Sequence, residues 1–443
     1  MPALSKKKPL TAFAKHDPGP LAPALDFIDR RFGPIKYVYG FEASWPEPNW
    51  WIYDCKLARP IGEYFIDYSM IAMGCSIDPS IALRKALGEA IERYNAHNSV
   101  KVAQTKIANM EGNNLAERFP ICADFENCSS TLKKFPVSAD LTLVSVNKMC
   151  DDSKLWIPAG YVHLGFSRPS NEPLVTSSIS SGLAFHSDLF TAIWSSLLEC
   201  AERDAIMMMW WNQKPASKID IKPSTEYGDL AERMIRLKNA NLKAHIFDVT
   251  SDFKIPTVFC ILQGESAPYS TVGGCCNSDP ITACVKAIDE AVMIRIVQKE
   301  FSSKKVPPSF ETFAWIHTLE DRATLFAQWK NTPAFDFLFR EGAKQISLNE
   351  FVSQSYWSAP SCMEELPAFA SLMQEQGLTA LWSDITMDDV KEIGYCVKVV
   401  VPEMIPLTAD QNACFLGTPR LAAAAGKNSL TKADINPYPH PFP

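Results

Sequence analysis

Apolar runs alternate with amphipathic segments along most of the chain after about residue 50. Short runs rich in β-branched and aromatic residues predict strands, because these side chains pack well on a pleated surface. The predicted strands are 64–74, 141–146, 244–250, 257–262 and 394–401. The acidic stretch 348–390 has a helical pattern, whereas the Pro-rich residues 1–45 are predicted to be irregular. The pattern as a whole predicts a mixed α+β protein.

An internal repeat organises the apolar pattern. Three segments align without gaps, namely 78–93, 188–203 and 279–294. Each begins with Asp, a favoured helix N-cap, and carries small residues on one helical face. Each has a glutamate at the same position, namely Glu89, Glu199 and Glu290. A glycine shortly precedes each Asp, namely Gly74, Gly182 and Gly274. We therefore predict three units, each consisting of a strand, a glycine loop and a helix.

The second helix of the repeat has an unusual distribution of charge. Between residues 189 and 211 the charged residues are Glu199, Glu202, Arg203 and Asp204, and almost all of the other side chains are apolar or small. A helix that is apolar nearly all round is buried, and buried carboxylates must be paired, hydrogen-bonded or bound to metal. A solvated row of salt bridges, an internal Glu–Arg lock and a Mg²⁺ site all remain open. Carboxylates without nearby His or Cys ligands favour Mg²⁺.

Composition narrows the class of protein. The chain has 443 residues, of which 47% are hydrophobic. Its net charge of −7 argues against a nucleic-acid-binding protein. No apolar stretch is long enough to cross a membrane, and no apolar signal core follows the N-terminal lysines. Thirteen scattered cysteines without a CxxC pair suit a reducing compartment. We expect a cytoplasmic protein that binds neither nucleic acid nor membrane. No P-loop or GxGxxG fingerprint is present.

Three motifs together resemble the YcaO family. They are LGEAIER (87–93), SSGLAFHSDLFTAIWSSLLECAERDA (180–205) and DPITACVKAIDEAVMIR (279–295). The resemblance covers roughly residues 60–443 and implies a YcaO-type α+β fold around an ATP and Mg²⁺ site. It implies an N-terminal extension over 1–55 and a catalytic domain over 56–443, which ends in a proline-rich tail at 436–443.

The resemblance also implies roles for individual residues. The implied magnesium ligands are Glu89, Glu92, Glu199 and Glu202. The implied nucleotide-binding residues are Arg93, Ser180, Ser181, Arg203, Glu290 and Arg295. The implied catalytic tail contains Pro439, Pro441 and Pro443, the last with its terminal carboxylate as a base. The chain departs from many members at Cys75, Ser181 and Met293, where Lys, Asn and Gln are common.

The implied function is ATP-dependent cyclodehydration. Cys, Ser or Thr of a ribosomally made precursor peptide would become thiazoline or oxazoline after phosphorylation of the backbone amide oxygen. Thioamide or macroamidine formation by the same activation is the alternative, and a non-catalytic scaffold is a third. The implied partners are the precursor peptide, a separate E1-like leader-binding protein and a flavin-dependent azoline dehydrogenase. A homodimer or a hetero-oligomeric synthetase is expected.

Overall fold

A computed structural model of the chain describes residues 16–58, 70–101, 103–177, 179–222, 225–301 and 312–442. The residues fall into two compact units, Met1–Tyr94 and Asn95–Pro443. Among the described helices, none combines the length and the apolar character needed to cross a membrane.

The first unit is a three-stranded antiparallel sheet with one long helix. The strands β1 (Ile35–Glu42), β2 (Trp51–Leu57) and β3 (Ile71–Ser76) are paired in that order. They are followed by α1 (Pro79–Asn98), which begins in this unit. The side chain of Asp78 caps the helix by accepting hydrogen bonds from the N–H groups of Ser80 and Ile81 at 2.7 and 3.0 Å. Ala82, Leu83, Ala86, Leu87 and Ala90 of this helix are buried in one hydrophobic cluster with residues of the sheet.

Two sheets form most of the second unit. Their strands are β4 (Thr105–Ala108), β5 (Leu141–Lys148), β6 (Lys154–Pro158), β7 (Leu183–His186), β8 (Ser217–Asp220), β9 (Lys243–Asp248), β10 (Thr257–Gln263), β11 (Ser270–Cys276), β12 (Gln345–Ser347), β13 (Leu381–Asp384) and β14 (Tyr395–Val400). One sheet has the order β4-β5-β13-β14-β7, with β6 also paired to β5, and the other has the order β11-β10-β9-β8-β12. Only the β12–β8 pair among these is parallel.

Helices lie between and around these sheets. They are α2 (Ser130–Lys133), α3 (Leu189–Trp211), α4 (Gly228–Asn239), α5 (Pro280–Phe301), α6 (Leu319–Gln328), α7 (Leu348–Val352), α8 (Leu366–Glu375) and α9 (Pro419–Ala424). The helix α3 contacts β14 and β7 of one sheet and β11 of the other, so both of its sides are buried. This position explains why its sequence is apolar nearly all round.

The three predicted repeat units are present. Each consists of a strand and a following helix: β3 with α1, β7 with α3, and β11 with α5. Asp188 and Asp279 cap their helices through hydrogen bonds of 2.8 Å from the N–H groups of Thr191 and Thr282. The glycines differ from the expected loop position, because Gly74 and Gly274 lie inside their strands, whereas Gly182 immediately precedes β7.

Two other expectations are wrong. Residues 35–42 form β1, so the stretch 1–45 is not irregular throughout. The domain boundary expected at residue 55 lies within β2 and stays a prediction. The stretch 348–390 is not helical throughout, because β13 lies in it and pairs with β5 and β14. Strand β1 is stabilised by pairing with β2, and β13 by pairing with β14 and with the sequence-distant β5. Pairing of this kind is not visible in the pattern of the strand's own residues.

Candidate active site

The first unit contains one of the predicted acidic elements. Oε2 of Glu89 accepts a hydrogen bond from the backbone N–H of Met73 at 2.6 Å. Its other oxygen pairs with Nη2 of Arg93 at 2.6 Å, and Nη1 of Arg93 donates to the carbonyl of Ile71 at 2.7 Å. Strand β3 therefore fixes both members of this Glu–Arg pair. Glu92 lies on the same helix and is partly exposed.

The second unit gathers three carboxylates around one guanidinium. Arg203 lies 3.6 Å from Oε1 of Glu199, 3.4 Å from Oε1 of Glu202 and 3.9 Å from Oε1 of Glu290. The side chain of Arg203 is 15% exposed. Its Nε and Nη1 atoms are buried and make no hydrogen bond within the described part of the chain. The arginine therefore neutralises charge without saturating the hydrogen-bonding capacity of the cluster.

Backbone N–H groups hold the three carboxylates in place. Glu199 accepts from Gly182 at 3.0 Å, and Glu290 accepts from Gly274 at 2.5 Å. Glu202 accepts from the N–H of Cys276 at 3.0 Å. The glutamate shared by the three repeats is thus bound in each case by an N–H group of its own strand or of the residue before it. The three repeats share a backbone N–H donor and not a glycine at the donor position, because the donor to Glu89 is Met73.

Glycines allow two of the helices to approach their strands. A Cβ atom on Gly74 would lie 2.0 Å from the carbonyl oxygen of Ala82, and one on Gly273 would lie 2.2 Å from that of Ala287. The small residues predicted on one helical face therefore pack against the backbone of the preceding strand. This contact brings the glutamate of each helix within reach of the strand.

The cluster in the second unit is electrostatically strained. Burial raises the pKa of Glu290 to about 7, and the carboxylates of Glu202 and Glu199 add to this effect against the opposing charge of Arg203. Burial also raises the pKa of Glu199, which Arg203 and Lys398 partly offset. Burial alone would lower the pKa of the Arg203 guanidinium, but the three surrounding carboxylates raise it. Excess negative charge is therefore retained in a partly buried site, in which the side chains of Glu199 and Glu290 are 26% and 25% exposed.

The proline-rich tail reaches this cluster. The ring of Phe442 lies 5.0 Å from the Arg203 guanidinium and 5.9 Å from the ring of Phe259. Nε2 of His440 is 2.7 Å from the carbonyl oxygen of Thr408, and burial lowers the pKa of this histidine well below its usual range. The neutral ring therefore donates through Nε2. Pro439 and Pro441 are buried in the same segment, and Pro443 lies outside the described residues.

Three further predicted nucleotide-binding residues, Ser180, Ser181 and Arg295, lie in the second unit. The backbone carbonyl of Ser180 accepts from the N–H of Leu183 at 3.0 Å, and Ser181 lies next in the loop before β7. Arg295 is 3% exposed and donates to the carbonyl of Pro268, so its described contact is structural. The third helix brings Glu290 to Arg203 instead.

Two features near the cluster were not predicted from the sequence, namely the burial of Lys398 and the partner of Asp204. Lys398 lies in the middle of β14, is 5% exposed and exerts a favourable charge effect on Glu199. A single lysine in the apolar run YCVKVVV was an available signal, because lysine is almost never fully buried without a partner. Asp204, the last residue of ECAERD, is fully buried and pairs with Arg420 at 2.7 Å. Nothing in the sequence near Asp204 or Arg420 indicated that these two residues pair.

The donor set has the chemistry that Mg²⁺ prefers. Three acidic side chains surround the single positive charge of Arg203, and hard divalent cations prefer oxygen ligands. As they stand, however, no three His, Cys, Asp or Glu side chains among the described residues are arranged to hold a metal ion. The carboxylates of the second unit are instead paired with Arg203. The residues present therefore fit the cation by donor type and by uncompensated charge.

Residues 68–405 match the family model for YcaO cyclodehydratases, which is described as ATP- and Mg²⁺-binding. The chain belongs to the YcaO family. This membership confirms the resemblance identified from the three sequence motifs, and it agrees with the expected cofactors, ATP and Mg²⁺. It also identifies the chain as a member of an enzyme family.

Curated relatives of this YcaO protein are distant. An uncharacterised protein in the tfuA 3′ region of Rhizobium leguminosarum bv. trifolii is 25% identical over 51% of this chain and 55% of its own length. An uncharacterised protein of Methanothermobacter thermautotrophicus strain Delta H is 23% identical over 37% of this chain and 43% of its own length. The chain thus spans about half of the length of the curated relatives it matches.

Solved structures share the fold. A heterocyclase in complex with substrate and cofactor superposes with a TM-score of 0.74 at 18% identity, over 96% of this chain and 57% of that one. YcaO from Methanopyrus kandleri, bound with AMPPCP and Mg²⁺, has a TM-score of 0.59 at 12% identity, over 86% of this chain and 88% of that one. The Escherichia coli microcin synthetase McbBCD complex with pro-MccB17 bound has a TM-score of 0.57 at 14% identity, over 85% of this chain and 90% of that one. The predicted YcaO-type α+β fold is therefore confirmed.

Proposed function

We propose that this YcaO protein catalyses ATP-dependent cyclodehydration of Cys, Ser or Thr in a ribosomally synthesised precursor peptide. The observation that carries the proposal is the Arg203 cluster, where Glu199, Glu202 and Glu290 meet the buried C-terminal tail. Membership of a cyclodehydratase family and the fold shared with a heterocyclase support the choice of reaction.

The proposed reaction activates a poor leaving group. The side-chain thiol or hydroxyl attacks the preceding carbonyl carbon, forming a C–S or C–O bond and an oxyanion. The oxyanion takes the γ-phosphoryl group of ATP and ADP is released. Loss of phosphate, together with the amide proton, leaves the C=N bond of an azoline ring. The peptide loses one water and ATP is converted to ADP and phosphate.

The chain's own residues would position the reactants and balance their charge. Glu89, Glu92, Glu199 and Glu202 are the proposed metal ligands. Bound Mg²⁺ would neutralise phosphate charge and orient the transferred group. Arg203, with two buried nitrogen atoms that make no described hydrogen bond, can donate to a phosphate oxygen.

Other predicted residues have supporting roles in the proposal. Arg93, Ser180, Ser181, Glu290 and Arg295 would complete the nucleotide site. Pro439 and Pro441 would direct the tail, whose terminal carboxylate at Pro443 is the proposed base. Alternating prolines favour a stiff extended chain, which places a terminal group at low entropic cost.

Glutamate-to-glutamine variants test the proposal. With the precursor peptide and an E1-like partner protein present, Glu199→Gln and Glu202→Gln should abolish phosphate release and ring formation while the protein remains folded. Glu392→Gln, at an exposed position, is the matched control and should retain activity. Loss of one water per ring, measured by mass spectrometry, would identify azolines. Exchange of oxygen for sulfur, or near-normal turnover in the site variants, would contradict the proposal.

A further inference from the structure

Lys398 occupies an unusual position for a lysine. It is the fourth residue of β14 and is 5% exposed. Its Nζ donates hydrogen bonds to two backbone carbonyls, that of Ile179 at 3.1 Å and that of Ser181 at 2.5 Å. Burying an ammonium group is costly unless polar partners replace its water. The segment just before β7 supplies those partners.

The peptide group between Ser181 and Gly182 connects this lysine to the acidic cluster. Its carbonyl accepts from Lys398, and its N–H donates to Oε2 of Glu199 at 3.0 Å. A trans peptide group is planar, and its C=O and N–H bonds point in opposite directions. A donor that fixes the carbonyl therefore also fixes the direction of the N–H bond. A cation on the carbonyl also polarises the group and strengthens its hydrogen bond to the carboxylate.

The other two repeats hold the equivalent peptide group differently. Met73, which donates to Glu89, lies inside β3 opposite Asp54 of β2. Gly274, which donates to Glu290, lies inside β11 opposite Phe259 of β10. In both repeats the donor belongs to a paired strand. Gly182 immediately precedes its strand, and its carbonyl still accepts from the backbone N–H of Val399 in β14 at 2.8 Å. The carbonyl of the Ser181–Gly182 peptide group accepts instead from the side chain of Lys398.

We propose that Lys398 is a positioning residue for Glu199, acting through the Ser181–Gly182 peptide group. Packing around Gly182 makes the relay rigid, because its carbonyl accepts from Oγ of Ser196 at 2.6 Å. The inference rests on the proposed role of Glu199 as a metal ligand. Lys398 would influence divalent-cation binding without itself contacting the cation.

The test uses Lys398→Met, which keeps the length of the side chain but removes its charge and donors. Direct Mn²⁺ binding to the full chain should weaken by about tenfold to a hundredfold, as expected for the loss of charged hydrogen bonds. Hydrogen exchange in the segment 179–183 should become faster in the same variant. Lys398→Arg should restore part of both properties. Lys391→Met is the matched control, because Lys391 is exposed and pairs with Asp388 on the surface.

The outcomes separate this inference from the proposed function. Absence of ATP-dependent peptide modification by the unmodified protein would refute the proposed function, whatever the variants do. Unchanged Mn²⁺ affinity in Lys398→Met would overturn the inference, even if exchange becomes faster. Tighter Mn²⁺ binding would also overturn it, because Lys398 would then act only as a repelling charge. If Lys398→Met does not fold, Lys398→Gln provides the same two measurements with a polar replacement.

Discussion

Replacing Glu290 by glutamine is the most direct test of strain in the cluster. Glu290 lies 3.9 Å from Arg203, which also serves two other carboxylates, and burial raises its pKa from 4.5 to about 7. Glutamine preserves the shape of the side chain and can still accept from the N–H of Gly274. The variant removes one negative charge from a site where three acids share one arginine. We therefore expect Glu290→Gln to be more stable than the natural protein above neutral pH.

The magnitude follows from the pKa difference. A carboxyl group with a higher pKa in the folded state binds its proton more tightly there than in the unfolded chain. Its stabilising contribution is full below pH 4.5 and is lost as the pH rises to about 7. Each pH unit in this window costs about 1.4 kcal/mol, so the loss reaches about 3 kcal/mol. The glutamine variant has no carboxyl group to ionise at this position. The difference between the free energies of unfolding of the two proteins should therefore change steadily across this pH range.

Urea denaturation at a series of pH values measures this divergence. The free energy of unfolding of the natural protein minus that of Glu290→Gln should fall by about 3 kcal/mol between pH 4 and pH 8. Tryptophan fluorescence is a suitable probe, because Trp210 and Trp211 are buried on α3 beyond the cluster. A difference that does not change with pH would refute the reasoning, since Glu290 would then be ionised equally easily in both states.

Three further predictions test other parts of the second unit. Gly273→Ala should lower the melting temperature strongly, because its Cβ would lie 2.2 Å from the carbonyl of Ala287; scanning calorimetry measures this. Arg420→Met should lower the free energy of unfolding, measured by urea denaturation, by about 3–5 kcal/mol, because the buried Asp204 carboxylate loses its cation. Adding Asp204→Asn to this variant should recover part of the lost stability. Deleting residues 439–443 should severely reduce ring formation measured by mass spectrometry, because it removes the tail from Arg203; unchanged rates would separate the tail from catalysis.

The sequence predicted the helices of the repeat well because their signals are local. Asp78, Asp188 and Asp279 each cap a helix through side-chain hydrogen bonds, as expected for Asp before an apolar helical pattern. The strands β1 and β13 were missed for the opposite reason. Their stability depends on pairing with other strands, namely β2 for β1 and both β14 and the sequence-distant β5 for β13.

The candidate site was predictable to the extent that burial could be inferred. Isolation of Glu199 and Glu202 in an apolar helix predicted buried acids, and the structure places both against Arg203. The contact of Phe442 with this arginine joins positions 239 residues apart in sequence and had no local signal. The role of Glu290 was also underestimated, because its helix lacks the arginine found at the same repeat position in the other two.

The missing arginine explains the charge imbalance of the cluster. The first two helices place an arginine one turn after the shared glutamate, and each pairs with that glutamate. The third helix has Ile294 there, so Glu290 must share Arg203 with the second helix. A fully neutralised cluster would be more stable, but it would have no net charge to attract a cation. The apolar residue at position 294 thus leaves a negative charge that favours a divalent cation, at a cost to stability that Glu290→Gln should reveal.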